Sequence, residues 1–124
     1  MKPILSRVEG PVYALLRIVA GLMFAVHGAQ KLAGVLGGRQ AELFSQMWIA
    51  GVIELVGGVL VAVGFLASPV AFICAGEMAV AYWTAHAPQS PWPVQNGGEL
   101  AALYCFVFLY IAARGAGRWS IDRK

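Results

Sequence analysis

Four apolar stretches dominate the sequence, and each approaches the roughly 20 residues that an α-helix needs to cross a bilayer. They run from about 11 to 33, 47 to 66, 69 to 86 and 97 to 113. In lipid, only helices and closed β-barrels satisfy the polar groups of the backbone. The alternation of polar and apolar residues that barrel strands need is not present in these stretches. The sequence therefore predicts an all-α fold, a polytopic membrane four-helix bundle that forms one domain over residues 1–124.

The composition excludes several other classes of protein. Apolar residues make up 60% of the chain and charged residues only 12%, whereas soluble domains carry about 25% charged residues. The nine Lys and Arg residues are scattered, so no nucleic-acid-binding face is expected. Cys74 and Cys105 form no CxxC motif and are expected to be small packing residues. The first stretch contains Arg17 and is too long for the apolar core of a cleavable signal peptide.

The distribution of basic residues predicts the orientation in the membrane. Only Lys31 and Arg39 fall on the side opposite the termini. Six basic residues flank the two termini: Lys2, Arg7, Arg114, Arg118, Arg123 and Lys124. Because cytoplasmic loops carry the excess of Lys and Arg, both termini are predicted to be cytoplasmic.

Every apolar stretch also carries at least one ionisable residue. These residues are Arg17, His27, Lys31, Glu54, Glu77 and Glu99. A charge at the centre of a membrane helix costs roughly 2.5 to 3.5 kcal/mol, so such side chains should face the interior of the bundle and find partners. Small residues share their helix faces, among them Gly21 and Gly28 in the first stretch and Gly51 and Gly58 in the second. Small residues on one face allow close helix approach in membranes.

The depth of each residue suggests its partners. The helical rise places Arg17 roughly 9 Å and Glu77 roughly 12 Å from the cytoplasmic boundary, which predicts a buried ion pair. A second polar cluster is expected near the outer boundary, and it comprises His27, Gln30, Lys31, Glu54, Glu99, His86 and Asn96. Within it, the candidates for ligand binding or proton exchange are His27, Lys31, Glu54 and Glu99.

Simpler interpretations stand beside these. An ion pair between Arg17 and Glu77 could have a purely structural role, in which it fixes the register of the helices. Glu99 lies where a helix begins, and the helix dipole favours an acid in the first turn. His27 and His86 share a depth that a bis-histidine haem needs, but His86 marks a helix end and Pro88 follows it, so haem is disfavoured. No metal site and no firmly bound cofactor are predicted.

Segments in all four stretches resemble the DoxX family of small bacterial membrane proteins. In the first stretch they are residues 16–17 and 24–32, and in the second, third and fourth they are 53–58, 75–82 and 96–100. The resemblance runs from about Leu15 to Asp122. It implies a multi-pass protein of the bacterial cytoplasmic (inner) membrane. Members of the family form part of a thiosulfate:quinone oxidoreductase, accompany a terminal quinol oxidase, or partner soluble redox proteins. The residues that match the family pattern are Arg17, His27, Lys31, Glu54, Glu77, Asn96 and Glu99, and the resemblance assigns none of them a role.

The residues and the resemblance together favour a redox-linked membrane subunit or accessory factor that binds a quinone. His27 and Lys31 would donate hydrogen bonds to a quinone carbonyl, and Glu54 or Glu99 would take up a proton. A redox partner protein would supply or accept the electrons. Two alternative functions stay open. One is a scaffold that docks a soluble oxidoreductase through the basic tail 114–124. The other is a transporter of protons or small solutes that acts as a homo-oligomer. Lipid is the alternative contact of the tail, and whether the chain is an enzyme is left open.

Overall fold

The computed structural model describes residues 1–122, and over that range the chain is helical without strands. The all-α class is therefore confirmed. The longer helices are α1 (Glu9–Ala33), α2 (Gln46–Val63), α3 (Ala67–Ala81) and α5 (Glu99–Arg114), and the short helix α4 (Pro93–Asn96) lies in the last connection. A 3-10 turn (Ser6–Val8) precedes α1, and a π-helical turn (Tyr82–His86) continues α3 and leads into a 3-10 turn (Ala87–Gln89).

Two of these helical stretches are long and apolar enough to cross a membrane. They are Ser6–Ala33, which includes the first 3-10 turn, and Gln46–Val63. The other two are shorter, since α3 has 15 residues and α5 has 16. The π-helical turn lengthens the helical path of α3 as far as His86, which is where the sequence predicts the third stretch to end.

Glycines bring the backbones of α1 and α2 together. A Cβ atom on Gly21 would lie 2.6 Å from the carbonyl oxygen of Gly58, and one on Gly58 would lie 2.5 Å from that of Gly21. Further along the same contact, a Cβ atom on Gly28 would lie 2.6 Å from the carbonyl oxygen of Gly51. Any side chain at these positions would separate the helices, so the small residues predicted to share a face do form the helix contact.

The exterior of α1 is apolar, whereas its interior face carries a charge. Its exposed apolar residues include Leu15, Leu16, Val19, Leu22, Met23 and Val26. The opposite face buries Arg17 together with Tyr13, Ala20, Gly21 and Phe24. A helix on the surface of a soluble protein shows the reverse arrangement. This distribution is the one expected of a helix that faces lipid.

The helices pack most closely as two pairs, α1 with α2 and α3 with α5, and α2 joins the pairs through α3. By comparison, α1 and α5 meet at few positions. Aromatic rings fill their contact, with the Phe24 ring centroid 5.2 Å from that of Tyr104 and 4.7 Å from that of Phe108. Beyond these rings, toward the C-terminal end of α1, a cavity lies in the seam between α1 and α5.

Residues 115–122, here called the C-terminal segment, fold back against the turn between α2 and α3. The backbone N–H groups of Ile121 and Asp122 donate to the carbonyl oxygens of Val63 and Gly64, at 3.0 and 2.9 Å. The Asp122 carboxylate accepts the N–H groups of Leu66 and Ala67, both at 2.9 Å, and so caps the start of α3. The described part of the predicted basic tail is thus built into the fold, and Arg123 and Lys124 lie outside the described residues.

Candidate functional site

Arg17 is fully buried, and its guanidinium donates five hydrogen bonds to backbone carbonyl oxygens. The acceptors are Val61 and Ala62 at the end of α2, and Ala116, Arg118 and Trp119 in the C-terminal segment. Apart from the short bond to Ala116, the donor–acceptor distances run from 2.6 to 3.2 Å. A guanidinium has five N–H groups, so every donor has an acceptor. We call Arg17 and these five carbonyl groups the arginine site.

The predicted ion pair between Arg17 and Glu77 is wrong. All of the hydrogen bonds of Arg17 go to carbonyl oxygens, and the carboxyl group of Glu77 lies against that of Glu54 instead. The helical rise gives the depth of a residue but not the direction in which its side chain points. The acceptors at the end of α2 also carry the partial negative charge of a helix C-terminus, which attracts a cation, and the carboxylate near Arg17 is that of Asp122, not that of Glu77.

Lys31, Glu54 and Glu77 form a second buried group, here called the carboxylate site. The Nζ atom of Lys31 donates to Oε2 of Glu54 at 2.5 Å. The side chain of Glu54 is 1% exposed, whereas that of Lys31 is 27% exposed. Oε1 of Glu54 and Oε1 of Glu77 are buried, and neither has a hydrogen-bond partner among the described residues. The site therefore holds two carboxyl groups beside a single lysine.

A cavity of about 200 Å³ lies beside the carboxylate site. Its polar lining comes from His27, Lys31, Glu54, His86 and Tyr104. Apolar walls are supplied by residues such as Phe24, Met78 and Leu100. The structure thus brings together four residues of the predicted outer cluster, His27, Lys31, Glu54 and His86. They come from α1, α2 and the turn after α3.

His86 reaches the cavity from the π-helical turn. Such turns are rare and occur frequently at functional sites. The Nδ1 atom of His86 lies 3.1 Å from the carbonyl oxygen of Asn96. This hydrogen bond joins the turn after α3 to the segment that precedes α5, and it fixes one nitrogen of the ring while the ring lines the cavity.

Three residues of the predicted cluster lie outside the cavity lining. Gln30 donates from Nε2 to the carbonyl oxygen of Leu36, at 3.0 Å, within the connection between α1 and α2. Glu99 is exposed in the first turn of α5 and lines a separate open groove along that helix. The third residue, Asn96, is buried in the connection before α5.

The Asn96 side chain organises the turn that leads into α5. Its amide donates to the Ser90 carbonyl oxygen at 3.0 Å and to the Tyr82 hydroxyl at 3.2 Å. Its Oδ1 atom accepts the backbone N–H of Gly98 at 2.8 Å. With these partners Asn96 stabilises the local backbone, which is the common use of asparagine in turns.

Tyr104 is a member of the site that the sequence analysis missed. Its hydroxyl is buried without a hydrogen-bond partner among the described residues, and its ring lies edge-on to His27 with centroids 6.1 Å apart. The sequence does contain a signal for Tyr104, since it shares a helical face with Ala101 and Phe108 and is therefore expected to be buried. A buried tyrosine hydroxyl usually has a hydrogen-bond partner, so a polar group is expected near it. In this fold, the groups that can meet it are those of the cavity.

Within residues 1–122, no three His, Cys, Asp or Glu side chains are grouped as a bound metal ion requires. Cys74 is buried and Cys105 partly buried, and both are free thiols. The site offers hydrogen bonding and proton exchange through Lys31, the two carboxyl groups, the histidines and Tyr104.

The fold and the site together define a helical protein with an apolar exterior and two buried polar sites, as in membrane-associated proteins. A sequence model of the DoxX family matches residues 12–87, and the chain belongs to the DoxX family. A protein of Haemophilus influenzae, described as uncharacterized, is 41% identical over 118 residues, which make up 90% of this chain and 88% of that relative. No solved structure matches the chain. The family match includes Arg17 and the carboxylate site, whereas α5 lies beyond it.

Proposed function

We propose that this DoxX protein crosses the bacterial cytoplasmic membrane four times, with both termini in the cytoplasm. The proposal is supported by the apolar exterior of the helices, the length of α1 and α2, and the π-helical extension of α3. The excess of Lys and Arg near the termini supports the orientation.

Labelling of single cysteines tests this topology. In a background with Cys74→Ala and Cys105→Ala, we expect a membrane-impermeant maleimide to label Gln40→Cys and Gln89→Cys in intact spheroplasts. Lys2→Cys should react only after the membrane is opened. Labelling of Lys2→Cys in intact spheroplasts would contradict the orientation, and protection of Gln89→Cys would contradict the crossing by α3.

Within that bundle, we propose that the cavity binds the ring of a quinone and that the protein is a redox-linked membrane subunit. The observation that carries the proposal is the convergence of His27, Lys31, Glu54, His86 and Tyr104 on one cavity among apolar helices. Its volume of about 200 Å³ is below the roughly 300 to 1,000 Å³ of pockets that enclose a drug-sized ligand. It therefore suits a ring head group whose apolar tail extends into lipid through the seam between α1 and α5.

The lining residues supply binding and proton exchange. A bound quinone would exchange electrons with a redox partner protein and protons with the site. Lys31 and Tyr104 are placed to donate hydrogen bonds to a carbonyl oxygen, and His27 donates or accepts according to its tautomer. Glu54 is the buried carboxyl group that can exchange a proton with the ligand. The scaffold, transport and homo-oligomer alternatives stay predictions.

Mass spectrometry of small molecules that co-purify with the protein in mild detergent tests the quinone. We expect a stoichiometric quinone in the wild type and its loss in His27→Ala and Glu54→Gln. Glu99→Gln is the matched control, because Glu99 is a carboxylate outside the cavity lining, and this variant should retain the quinone. A wild-type protein without quinone, whose unfolding temperature is also unchanged by an added short-chain quinone, would contradict the proposal.

A further inference from the structure

We propose that Glu54 and Glu77 form a proton-binding site in which the two carboxyl groups hold one proton between them. The use of this proton in quinone chemistry rests on the proposed function. The proton-binding site itself depends only on the arrangement of Lys31, Glu54 and Glu77.

The first argument is the incomplete hydrogen bonding of the two carboxyl groups. Glu54 is 1% exposed, and Lys31 binds its Oε2 atom, but its Oε1 atom has no partner within residues 1–122. Glu77 approaches from α3, and its carboxyl group lies against that of Glu54. Its own Oε1 atom is buried and likewise has no partner in that range. Two ionised carboxylates can only accept hydrogen bonds, so neither could satisfy the other.

The second argument is charge. Two ionised carboxylates beside one lysine would leave an unpaired negative charge buried in a medium of low dielectric constant, which is strongly unfavourable. A single proton on the pair removes this charge and leaves the site neutral. The same proton turns one carboxyl group into a donor, so that it forms a hydrogen bond to the other. The proton therefore corrects both the charge and the hydrogen bonding.

Among the described residues, Lys31 is the one lysine or arginine beside the pair, and the other neighbouring groups are titratable or neutral. Helix α1 contributes Lys31 and, at the cavity, the titratable His27. Helix α3 contributes the thiol of Cys74, and α5 contributes the hydroxyl of Tyr104. His86 faces the cavity from the π-helical turn and already has one nitrogen near a carbonyl oxygen.

A metal cation is a poorer occupant of this site than a proton. Hard cations such as Mg²⁺ and Ca²⁺ take six or more oxygen ligands. The pair offers two unpartnered carboxyl oxygens, and Lys31 already occupies a third oxygen with its positive charge. The proton reaches the pair from the cavity, since Glu54 lines it.

Infrared spectroscopy of quinone-free protein in nanodiscs, with glutamate labelled by carbon-13, tests the inference. At neutral pH we expect one carboxylic-acid C=O band per chain that shifts with the label and with D₂O. The band should disappear in both Glu54→Gln and Glu77→Gln, because the charge of Lys31 then balances that of the single remaining carboxylate without a proton. It should persist in Glu99→Gln, the exposed control. Lys31→Met should retain or strengthen the band, since removal of the cation favours protonation.

Three outcomes would overturn the inference. The first is a wild-type protein without the band, and the second is a band that survives in both Glu54→Gln and Glu77→Gln. The third is a band that sodium chloride abolishes and choline chloride does not, which would indicate that the site binds a metal cation in place of the proton. Circular dichroism and gel filtration establish that each variant is folded. Because the protein carries no quinone in this experiment, an intact band without quinone binding rejects only the proposed function. Quinone binding without the band rejects only the proton-binding site.

Discussion

The arginine site and the carboxylate site both bury ionisable side chains of α1 against α2, but they differ in how fully their hydrogen bonds are satisfied. Arg17 matches five donors with five acceptors, whereas Glu54 and Glu77 each keep a buried oxygen that has no partner in the described part of the chain. Arginine also keeps its proton at any physiological pH, whereas a carboxyl group can gain or lose one. The comparison teaches that burial of a charge does not by itself indicate function. The unsatisfied site, which lies beside a cavity, is the one that can do chemistry.

Replacement of Arg17 should have the largest effect on stability. Arg17→Met removes the donor of four carbonyl groups, since the fifth, that of Val61, also accepts the Gly64 N–H. We expect a loss of at least about 3 kcal/mol in the free energy of unfolding, since each unsatisfied buried group costs roughly 1 to 3 kcal/mol. Arg17→Lys should lose less, because an ammonium group keeps the charge but has only three N–H groups. Titration with SDS in mixed micelles, followed by tryptophan fluorescence, measures the loss. Arg7→Met, at an exposed position, is the control, and an equal loss there would contradict the role of Arg17.

The glycine contact between α1 and α2 supports both sites, and a methyl group within it should have the next largest effect. In Gly28→Ala the added Cβ atom would lie 2.6 Å from the carbonyl oxygen of Gly51, so the helices must separate, at a cost of about 2 kcal/mol. The matched control is Gly76→Ala, where a Cβ atom meets nothing within 4 Å. The same unfolding experiment should show Gly76→Ala as stable as the wild type or slightly more so. Equal behaviour of the two variants would show that α1 and α2 are not in close contact.

Removal of the cap on α3 tests the contribution of Asp122 in the C-terminal segment. Asp122→Ala deprives the N–H groups of Leu66 and Ala67 of their acceptor, and caps of this kind contribute about 1 kcal/mol. Hydrogen exchange at the first turn of α3 should accelerate together with the loss of stability. Glu42→Ala, an exposed acid in the connection between α1 and α2, should leave both measurements unchanged. Unaltered exchange in Asp122→Ala would argue against the cap.

The smallest effect on stability is expected at the carboxylate site. The double variant with Lys31→Met and Glu54→Gln removes an ion pair without leaving a partner charged, and such replacements are often neutral or stabilising. We expect a free energy of unfolding within about 1 kcal/mol of the wild type, together with loss of the co-purified quinone. A loss as large as that of Arg17→Met would mean that the carboxylate site is structural too.

The helix faces could be predicted from the sequence. The spacing of Gly21 and Gly28, and of Gly51 and Gly58, places each pair on one face of its helix, and the structure brings these faces together. Helical periodicity requires only the sequence of each helix, so it succeeds without knowledge of the neighbours.

Which side chains of different helices lie together could be predicted from the sequence only in part. Depth along the helices grouped His27, Lys31, Glu54 and His86 correctly, but it also assigned Glu77 to Arg17. The acceptors of Arg17 lie partly in the C-terminal segment, which has no helical periodicity from which to predict their position.

The remaining errors have a local cause. Gln30 and Asn96 find backbone groups close to them in sequence, and these satisfy their side chains before any distant cluster can. A charged or amide side chain near a connection between helices is therefore weaker evidence for a functional site than one in the middle of a helix, such as Glu54.

The arginine site has a consequence for the order in which the protein is made. Its acceptors at the end of α2 begin 44 residues after Arg17, but those in the C-terminal segment follow it by 99 to 102 residues. If α1 enters the bilayer as proposed before the rest of the chain is made, its guanidinium has water and lipid phosphate as its partners. Translation has to continue past Trp119 before that contact can be replaced. A chain interrupted before this point lacks three of the five acceptors of Arg17 and cannot complete the arginine site.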